Sequence, residues 1–540
     1  MPSSRADALS ARAPFLRIPP FPGHRAPPLG VRGPAVRHDW QSAAEALAAA
    51  RVGGAFWAAQ VTLPARRDIV LAPLNQTQAW DLLDAAKADG MADRAVLIGP
   101  YAARHGVPVI ARLCDPWHLA AQASEVRAAP GHELALVAAL LGKGGDAPGL
   151  LAGALEGWQW RSPFTGAPMA LAEVIALLAD WRQLIDTNRA SRAVFGVALW
   201  KRVTMDALLW DGLDGPHHTR AGSAAEAALA PGERALAWKS RTDPALPARL
   251  ASRGVLLGEI EDGFIRSTGL GANCVPPLSV IVDFAGAYFD PAQASGLEQI
   301  LAEADMTPAL LARAKVLRER LVAEGISKYG QDSTAAERKG GERRHVLVTG
   351  QVEDDRSMLS GGAGLTNLEL LRRARALEPG VFITYKPHPD VEAGHRKGQV
   401  PLVDALALAD VVEVEAPIAG LIDAADALHV ITSLAGFEAV MRGKDVVVHG
   451  VPFYAGWGLT RDLGPVPARR GRTRLLDELV AATLLLYPRY LDPVTRLPCP
   501  AEVVVERMAA GTARIASPLV RLRAAQGRLN LLLQWFKARF

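Results

Sequence analysis

Three clusters of polar residues after residue 255 each follow a short apolar, β-branched segment. They cover 261–271 (EDGFIRSTGLG), 350–357 (GQVEDDRS) and 386–390 (KPHPD), and 432–439 (TSLAGFEA) follows a later segment of the same kind. In an open α/β sheet, ligands bind in the loops that leave the carboxyl ends of the strands. The spacing therefore predicts a ligand site at the edge of a sheet.

The first cluster offers charges of both signs. Asp262 could accept hydrogen bonds and Arg266 could pair with an anion, while Gly269 and Gly271 would let the backbone approach a ligand closely. Helix capping or an internal ion pair would explain the same residues equally well.

The second cluster contains three adjacent acids, Glu353, Asp354 and Asp355. Adjacent carboxylates repel one another, so we expect at least one of them to face a cleft. A carboxylate nucleophile there could be kept ionised by Arg356 or by a neighbouring lysine. Binding of Mg²⁺ and N-capping of the next helix are equally compatible with this spacing.

The third cluster places Lys386 and His388 after one predicted strand, and Ser433 and Glu438 follow another. The helix that begins near Ala435 would add unpaired N–H groups suited to a phosphate. A lysine and a histidine aimed at the same crevice would stabilise a leaving phosphate. An isolated histidine between prolines is otherwise a structural turn.

The composition excludes several classes of protein. A chain of 540 residues with 50% hydrophobic residues can bury the cores of two or three domains. It contains no apolar run long enough to span a membrane, and residues 1–30 lack the apolar core of a signal peptide, so we expect a cytoplasmic protein. Three scattered cysteines are too few for a disulfide framework or a zinc site. The net charge of +4 allows an anionic partner without identifying one.

From residue 39 onward, short β-branched runs alternate with Ala/Leu-rich helical patterns, which predicts an α/β fold with parallel sheets. Residues 1–38 are rich in proline and are expected to be loosely ordered. The predicted strands are 68–72, 94–98, 107–110, 234–238, 255–259, 279–283, 345–349, 381–385, 411–414, 427–431 and 445–449.

A weak internal repeat relates residues 109–142 to residues 412–443, each with the pattern strand, short helix, strand, helix. The first copy lacks the polar residues of the second. We interpret the N-terminal part as the structural relic of a catalytic module. Chance similarity between two Ala/Leu-rich units is the alternative.

Two further segments each have two interpretations. Residues 517–540 carry five basic residues and no acidic residue among leucines and aromatic residues, so they could lie on an anionic bilayer or pack as a C-terminal helix. The aromatic segment 452–460 (PFYAGWGLT) could wall a sugar pocket or pack in the core.

Together these motifs resemble the capsule-polysaccharide β-Kdo transferases. The resemblance covers about residues 161–502 in one register. Seven ordered motifs carry it: 261–271, 276–290 (PPLSVIVDFAGAYFD), 327–329 (SKY), 350–357, 385–390 (YKPHPD), 432–439 and 452–460.

The resemblance implies a GT-B-like pair of Rossmann-like domains with CMP-Kdo as donor and retention of configuration. Family members often carry two transferase modules, and this chain resembles the second module preceded by a shortened first one, so one active site is expected. The implied organisation is a leader (1–38), a degenerate Rossmann-like domain (39–157), an acceptor-side half (158–340), a donor-side half (341–465), C-terminal helices (466–516) and a basic tail (517–540).

The resemblance also implies functions for single residues. Asp355 would attack the anomeric carbon of Kdo, and Glu261 or Glu353 would serve as base for the acceptor hydroxyl. Because CMP is a good leaving group, a metal and other cofactors are expected to be dispensable. The implied donor contacts are Lys386 and His388 at the phosphate, Ser433 and Glu438 at the cytidine, and Gln351, while Asp262, Arg266 and Ser267 form an acceptor or donor-carboxylate loop.

The implied partners are CMP-Kdo, a phosphatidylglycerol-linked Kdo acceptor and the anionic surface of the inner membrane, and further the capsule export machinery, with no nucleic acid. The enzyme would be peripheral to the inner membrane on its cytoplasmic side. Two other functions remain open at this point: a catalytically silent capsule-assembly protein, and another nucleotide-sugar enzyme with the same fold.

Overall fold

The computed structural model describes residues 14–267, 274–328, 330–331, 334–394, 396–513 and 515. The chain forms two compact units. The first comprises residues up to Arg192 with Met205–His217 and Thr495–Leu497, and the second comprises Ala193–Thr204, His218–Val494 and residues from Pro498 onward. Strands and helices alternate along both, which confirms the predicted α/β class.

The strands in chain order are β1 Gly30–Arg32, β2 Ile69–Ala72, β3 Ala95–Ile98, β4 Val109–Ile110, β5 Glu125–Ala128, β6 Trp158–Arg161, β7 Pro168–Met169, β8 Ser191–Phe195, β9 His218–Thr219, β10 Arg234–Ala237, β11 Leu256–Asp262, β12 Ser279–Asp283, β13 Ile326–Ser327, β14 Gly330–Gln331, β15 His345–Thr349, β16 Phe382–Lys386, β17 Val411–Val412, β18 Ala427–Val430, β19 Asp445–Val448, β20 Arg461–Asp462, β21 Arg489–Leu491 and β22 Pro498–Cys499.

The helices are α1 Trp40–Ala50, α2 Gln76–Ala88, α3 Pro116–Gln122, α4 Glu133–Leu140, α5 Ala147–Leu155, α6 Leu171–Asn188, α7 Arg202–Leu208, α8 Ala224–Ala227, α9 Leu246–Ser252, α10 Gly296–Glu303, α11 Pro308–Ala323, α12 Arg356–Gly361, α13 Asn367–Leu377, α14 Pro389–Glu392, α15 Leu402–Leu408, α16 Ile418–Ala424, α17 Leu434–Met441, α18 Leu476–Val480 and α19 Ala501–Ala509.

The first unit contains a four-stranded sheet in the order β4-β3-β2-β5, with all strands parallel. Strand β2 is buried along its whole length, because helices cover both faces of a parallel sheet. The leader is ordered where it is described, which corrects the prediction for 1–38: Phe15, Leu16, Phe21 and Leu29 are buried in the core of this unit. Apolar residues between the prolines provide that anchorage.

The second unit contains two sheets. The six-stranded sheet has the order β17-β16-β15-β18-β19-β20 and is entirely parallel, which is the strand order of dinucleotide-binding Rossmann folds. In the seven-stranded sheet, β22-β21-β12-β11-β10-β8-β9, strands β10 and β11 are parallel, and β12, β21 and β22 extend it antiparallel. The segment 466–516, predicted as helices, thus also contributes two strands.

Strand β11 is longer than the sequence predicts. It continues past Glu259 to Asp262, because residues 259–262 pair with β12. Glu261 and Asp262 therefore belong to a strand and not to the loop after it. Since side chains alternate between the faces of a strand, Glu259 and Glu261 share one face and Asp262 lies on the other.

The internal repeat is present in the structure. Segment β4-α3-β5-α4 of the first unit corresponds element by element to β17-α16-β18-α17 of the second. Both pairs of strands also hold equivalent positions, because β4 and β5 flank the pair β3-β2 and β17 and β18 flank the pair β16-β15. This agreement in topology favours a common origin over chance similarity.

Candidate functional site

The predicted site lies at one edge of the six-stranded sheet. Strands β15, β16 and β18 are parallel, so the polar clusters that follow them emerge at the same edge. The clusters also bond to one another, since Gly350 N–H donates to the Lys386 carbonyl at 2.8 Å. The prediction that the segments after β16 and β18 emerge at one edge is confirmed, whereas the first polar cluster follows β11 in the seven-stranded sheet.

Asp355 is exposed and is the N-cap of α12. Its Oδ2 accepts hydrogen bonds from Ser357 N–H at 3.2 Å and from Ser357 Oγ at 2.7 Å. Both bonds use the same oxygen, and no described residue donates to Oδ1. Of the three interpretations of this position, capping is therefore observed, and capping leaves one carboxylate oxygen open to solvent.

The other two acids of the cluster have separate partners. Glu353 Oε1 accepts from Asn367 N–H at 2.8 Å, and Asp354 pairs with Arg396 at 3.1 Å. The three carboxylates thus point to different neighbours, which relieves the repulsion expected between adjacent acids.

Gln351 is a buried link between two strand ends. Its Oε1 accepts from Thr432 N–H at 2.8 Å, and its Nε2 donates to Thr432 Oγ1 at 3.0 Å. Its own N–H donates to Asn367 Oδ1 at 2.8 Å. These bonds hold the loop after β15 against the loop after β18, and a direct donor contact for Gln351 stays a prediction.

Lys386 is the last residue of β16, and His388 follows two residues later. Lys386 is 7% exposed, and its Nζ donates to the Val414 carbonyl. His388 caps α14, and its Nδ1 accepts from Asp390 N–H at 3.1 Å, so a neutral ring carries its proton on Nε2. Burial lowers the pKa of both side chains.

The charge of Asp355 acts on His388. Burial lowers the pKa of His388, and the negative charges of Asp390 and Asp355 partly oppose that shift. Asp355 therefore lies within electrostatic range of His388, as a nucleophile beside a phosphate site would.

Helix α17 holds the remaining pair of predicted residues. Ser433 is its N-cap and accepts from Ala435 N–H at 3.2 Å. Glu438 is 6% exposed, and its Oε2 has no hydrogen-bond partner among the described residues. Burial raises the pKa of Glu438. A buried carboxyl oxygen without a partner is costly, and a bound ligand could satisfy it.

The aromatic segment after β19 belongs to the core. Phe453, Tyr454 and Trp457 are at most 6% exposed, and the rings of Phe453 and Phe437 lie 5.4 Å apart. Tyr454 Oη donates to the Ser433 carbonyl at 2.5 Å. Of the two interpretations, core packing is observed, and this packing fixes the start of α17.

Arg356 joins the two sheets of the second unit. Its Nη1 donates to Glu259 Oε1 and, at 2.6 Å, to Glu261 Oε1. One guanidinium reaches both glutamates because they lie two residues apart on the same face of β11. Arg356 was expected to support the neighbouring aspartate. The charges of Arg356 and Asp355 do interact, but the hydrogen bonds of the guanidinium go to these two glutamates.

The two glutamates titrate differently. Burial alone would raise the pKa of Glu259, but hydrogen bonds and charges from Arg356 and Lys239 lower it. Burial raises the pKa of Glu261 well above that of an ordinary glutamate, although Arg356 opposes the shift. Glu259 is therefore the ionised partner of Arg356, and Glu261 is the group that can gain and lose a proton near neutrality.

We expect Arg356→Met to destabilise the chain by about 2 kcal/mol, because Glu259 is 3% exposed and would lose one of its two cationic partners. The remaining ion pair with Lys239 keeps the loss below the larger penalty of a fully unpaired charge. Urea unfolding should show this loss, and Glu259→Gln should recover part of it in the double variant. Strictly additive effects of the two substitutions would contradict the coupling.

A second group of charges surrounds Asp262 on the opposite face of β11. Asp262 pairs with Lys201 at 3.2 Å and with Arg266 at 2.8 Å. Arg266 is 1% exposed and also donates to Ser267 Oγ at 2.7 Å and to the Val275 carbonyl at 3.2 Å. The internal ion pair weighed for this cluster is therefore present. Gly269 and Gly271 lie outside the described residues.

An open cleft of about 630 Å³ adjoins this group. Its walls follow three strands of the seven-stranded sheet: Trp200 and Lys201 come after β8, Trp238, Ser240 and Arg241 after β10, and Asp262 ends β11, with Arg266 beside it. Sequence reasoning did not select the residues after β8 and β10. The available signal was a tryptophan beside basic residues shortly after each apolar segment.

The described residues contain no group of three or more histidine, cysteine, aspartate or glutamate side chains arranged to hold a metal ion. Within the same described ranges, none of the helices combines the length and the apolar character needed to cross a bilayer.

The sequence of the chain is similar to a known protein family. The sequence profile of the family described as capsule polysaccharide biosynthesis protein matches residues 307–490, which include the second and third polar clusters. The capsule polysaccharide modification protein LipA of Neisseria meningitidis is 38% identical over 350 residues, 64% of this chain and 49% of that protein. The chain thus spans about half the length of this curated relative.

Two solved structures are also similar to this chain in sequence and fold. The KpsC β-Kdo 2,4 transferase of Thermosulfurimonas dismutans is 31% identical, with a TM-score of 0.50, over 59% of this chain and 98% of that chain. This chain belongs to the capsule polysaccharide biosynthesis family. The KpsC β-Kdo 2,7 transferase of the same organism is 32% identical, with a TM-score of 0.49, over 59% and 99% of the two chains.

Membership in the capsule polysaccharide biosynthesis family confirms the resemblance read from the seven motifs. The predicted fold class is confirmed as well, as a mixed α/β structure with parallel sheets and the fold of KpsC-like glycosyltransferases.

Proposed function

We propose that this chain is a retaining glycosyltransferase that moves β-Kdo from CMP-Kdo to a Kdo-terminated, lipid-linked acceptor during synthesis of the capsule linker. The proposed mechanism rests mainly on the position of Asp355. Asp355 presents a free carboxylate oxygen at a Rossmann-type sheet edge, within electrostatic range of His388 and one residue from the arginine that holds Glu261.

In the first step, Asp355 Oδ1 would attack the anomeric carbon as the bond to the CMP phosphate breaks, giving a covalent glycosyl-enzyme. The exposed position of Asp355 leaves its carboxylate accessible to a donor sugar. In the second step, the acceptor hydroxyl would displace Asp355 from the same carbon. Two inversions at one centre give net retention of configuration.

The donor would lie against the six-stranded sheet. Lys386 Nζ and His388 Nε2–H would stabilise the charge that develops on the departing cytidylate. The buried carboxyl of Glu438, with its unpaired Oε2, supports a contact with the cytosine, whose ring offers both a donor and acceptors. Ser433 would position this site as the cap of α17.

Glu261 is the better supported base for the acceptor hydroxyl. Glu353 is held by Asn367 N–H, whereas Glu261 accepts a hydrogen bond from Arg356, the residue that follows Asp355. Burial raises the pKa of Glu261 toward neutrality, where a general base is most effective. With Lys386 and His388 at the phosphate, we propose that the reaction needs no metal or other cofactor.

The acceptor we propose is anchored in the inner membrane, with the enzyme on the cytoplasmic surface. The composition of residues 517–540 supports peripheral attachment to an anionic bilayer, although this segment lies outside the described residues. Delivery of the product to the export machinery would then begin at the membrane surface.

Incubation of the full chain with CMP-Kdo and a synthetic Kdo-terminated glycolipid tests this function. We expect a product that is one Kdo longer, with the new residue in the β configuration by NMR. Formation of an α-linked product would contradict retention. Absence of transfer with intact CMP binding would favour a catalytically silent assembly protein.

A further inference from the structure

Two buried histidines lie side by side in the six-stranded sheet. His429 belongs to β18 and His449 directly follows β19, and each is at most 1% exposed. His429 Nδ1 and His449 Nε2 are 3.1 Å apart, and His429 Nε2 lies 2.9 Å from Glu378 Oε1. The buried histidine pair and Glu378 therefore form one continuous set of hydrogen bonds.

The order of these groups fixes the positions of the protons. The Glu378 carboxylate only accepts, so His429 carries its proton on Nε2 and its Nδ1 is an acceptor. His449 then donates from Nε2, and its neutral ring has no proton on Nδ1. That Nδ1 is buried and has no hydrogen-bond partner among the described residues. The set is thus complete with both rings neutral.

A further proton has no stable place in this set. On His449 Nδ1 it would create a buried N–H without an acceptor among the described residues. On His429 Nδ1 it would reverse the bond between the rings, and His449 would then have to carry its own proton on the same unpaired Nδ1. Either position also buries a positive charge.

The charges around the pair do not compensate for such a proton. They are Glu378 and Arg373 of α13, Arg344 before β15, Asp445 of β19 and Arg461 of β20. Glu378 is the carboxylate in contact with the pair, and it also pairs with Arg344 at 3.3 Å. Burial, together with the positive charges of His429, Arg373 and Arg461, lowers the pKa of His449 to about 4.

The pair is connected to the helix that Asp355 caps. His449 N–H donates to the Val430 carbonyl at 2.9 Å, which extends the pairing of β18 with β19. Two residues later, Val451 N–H donates to the Gly361 carbonyl at 2.8 Å. Gly361 is the last residue of α12, and Asp355 is the N-cap of this helix. A displacement of His449 would therefore act on the bond that holds the end of α12.

We propose that the buried histidine pair is an acid-sensitive element, in which uptake of a proton breaks the contact between the rings, separates the ends of β18 and β19 and releases α12. The ligand of this element is the proton itself, and only hydrogen bonds change. The inference does not rest on the transferase proposal, because it follows from the bonding of the pair alone. It adds that the chain loses the sheet edge carrying Asp355 at acidic pH.

The direction of the pH effect follows from two pKa values. A histidine in the unfolded chain has a pKa of about 6.5, whereas the folded chain lowers the pKa of His449 to about 4. Because the folded-state value is the lower one, the stabilisation is present above about pH 6.5 and is lost as the pH falls toward 4. Between about pH 8 and about pH 5, this site should lower the folding equilibrium constant of the second unit about thirtyfold.

Urea unfolding of the full chain at these two pH values, followed by hydrogen exchange in peptides from β18, β19 and α12, tests the proposal. We expect the acid loss of His449→Gln to be about thirtyfold smaller than that of the wild type. The glutamine amide still donates to His429 Nδ1 but takes up no proton. His217→Gln, at an exposed histidine outside the six-stranded sheet, is the control and should keep the acid loss of the wild type.

Glu378→Gln provides an independent test in case His449→Gln does not fold. Its amide oxygen still accepts from His429 Nε2–H, but removal of the negative charge beside the pair should make the acid loss larger than in the wild type. Three results would overturn the proposal: equal acid losses in the wild type and His449→Gln, a smaller loss in Glu378→Gln, or full protection of the α12 peptide where the β19 peptide exchanges.

Discussion

Asp355→Asn should abolish transfer, with a loss of turnover of about a thousandfold or more, because the amide cannot form the glycosyl-enzyme. The wild type, incubated with CMP-Kdo alone, should show a mass increase of one Kdo residue by intact-protein mass spectrometry, and the peptide containing Asp355 should carry it. Asparagine caps helices as well as aspartate does, so α12 and the stability of the chain should be preserved.

Asp354→Asn provides the matched control. Asp354 is an exposed neighbour that pairs with Arg396 on the surface, and its replacement should leave both the adduct and the turnover close to the wild type. An adduct that persists in Asp355→Asn, or normal turnover of that variant, would rule out Asp355 as the nucleophile. An adduct lost only in the Asp354 variant would shift the assignment by one residue.

Lys386→Met should lower turnover about a hundredfold, because it removes a positive charge from the proposed site of the departing phosphate while keeping the length of the side chain. Steady-state kinetics with CMP-Kdo measure this loss, and CMP titration should show weaker binding. Lys397→Met, at an exposed lysine beyond the same strand, is the control and should have little effect.

The hydrogen bond from Lys386 to the Val414 carbonyl gives the lysine a structural contribution as well. Lys386→Arg separates the two roles, since it keeps the charge and changes the packing. We expect Lys386→Arg to retain more activity than Lys386→Met even if both lower the melting temperature. Equal activity in the wild type and Lys386→Met would show that the phosphate is stabilised elsewhere.

Much of the fold could be predicted because its signals are local. Each of the eleven predicted strands overlaps an observed one, and Ser279–Asp283 and His345–Thr349 agree at both ends. Buried parallel strands are continuous apolar runs bounded by turn residues. A few adjacent residues are therefore enough to predict where such a strand lies. The shared edge of the polar clusters follows from the same pattern.

The features that were missed depend on contacts distant in sequence. Strand β8 begins with Ser191 and Arg192, which leaves an apolar run of only three residues, so the cleft residues after it were not recognised as following a strand. The partners of Arg356 lie almost a hundred residues earlier, on a strand whose end was placed too early. Spacing along the chain cannot show which acid a given arginine meets across a fold.

The cap of α12 has a consequence for the second half of the reaction. Once the sugar is attached through Oδ1, Oδ2 becomes the carbonyl oxygen of an ester, still facing the N–H and the hydroxyl of Ser357. As the ester breaks, negative charge would return to an oxygen that already has two donors in place, and the aspartate would depart as a weaker base. The contacts that orient the attacking group would thereby also hasten its release.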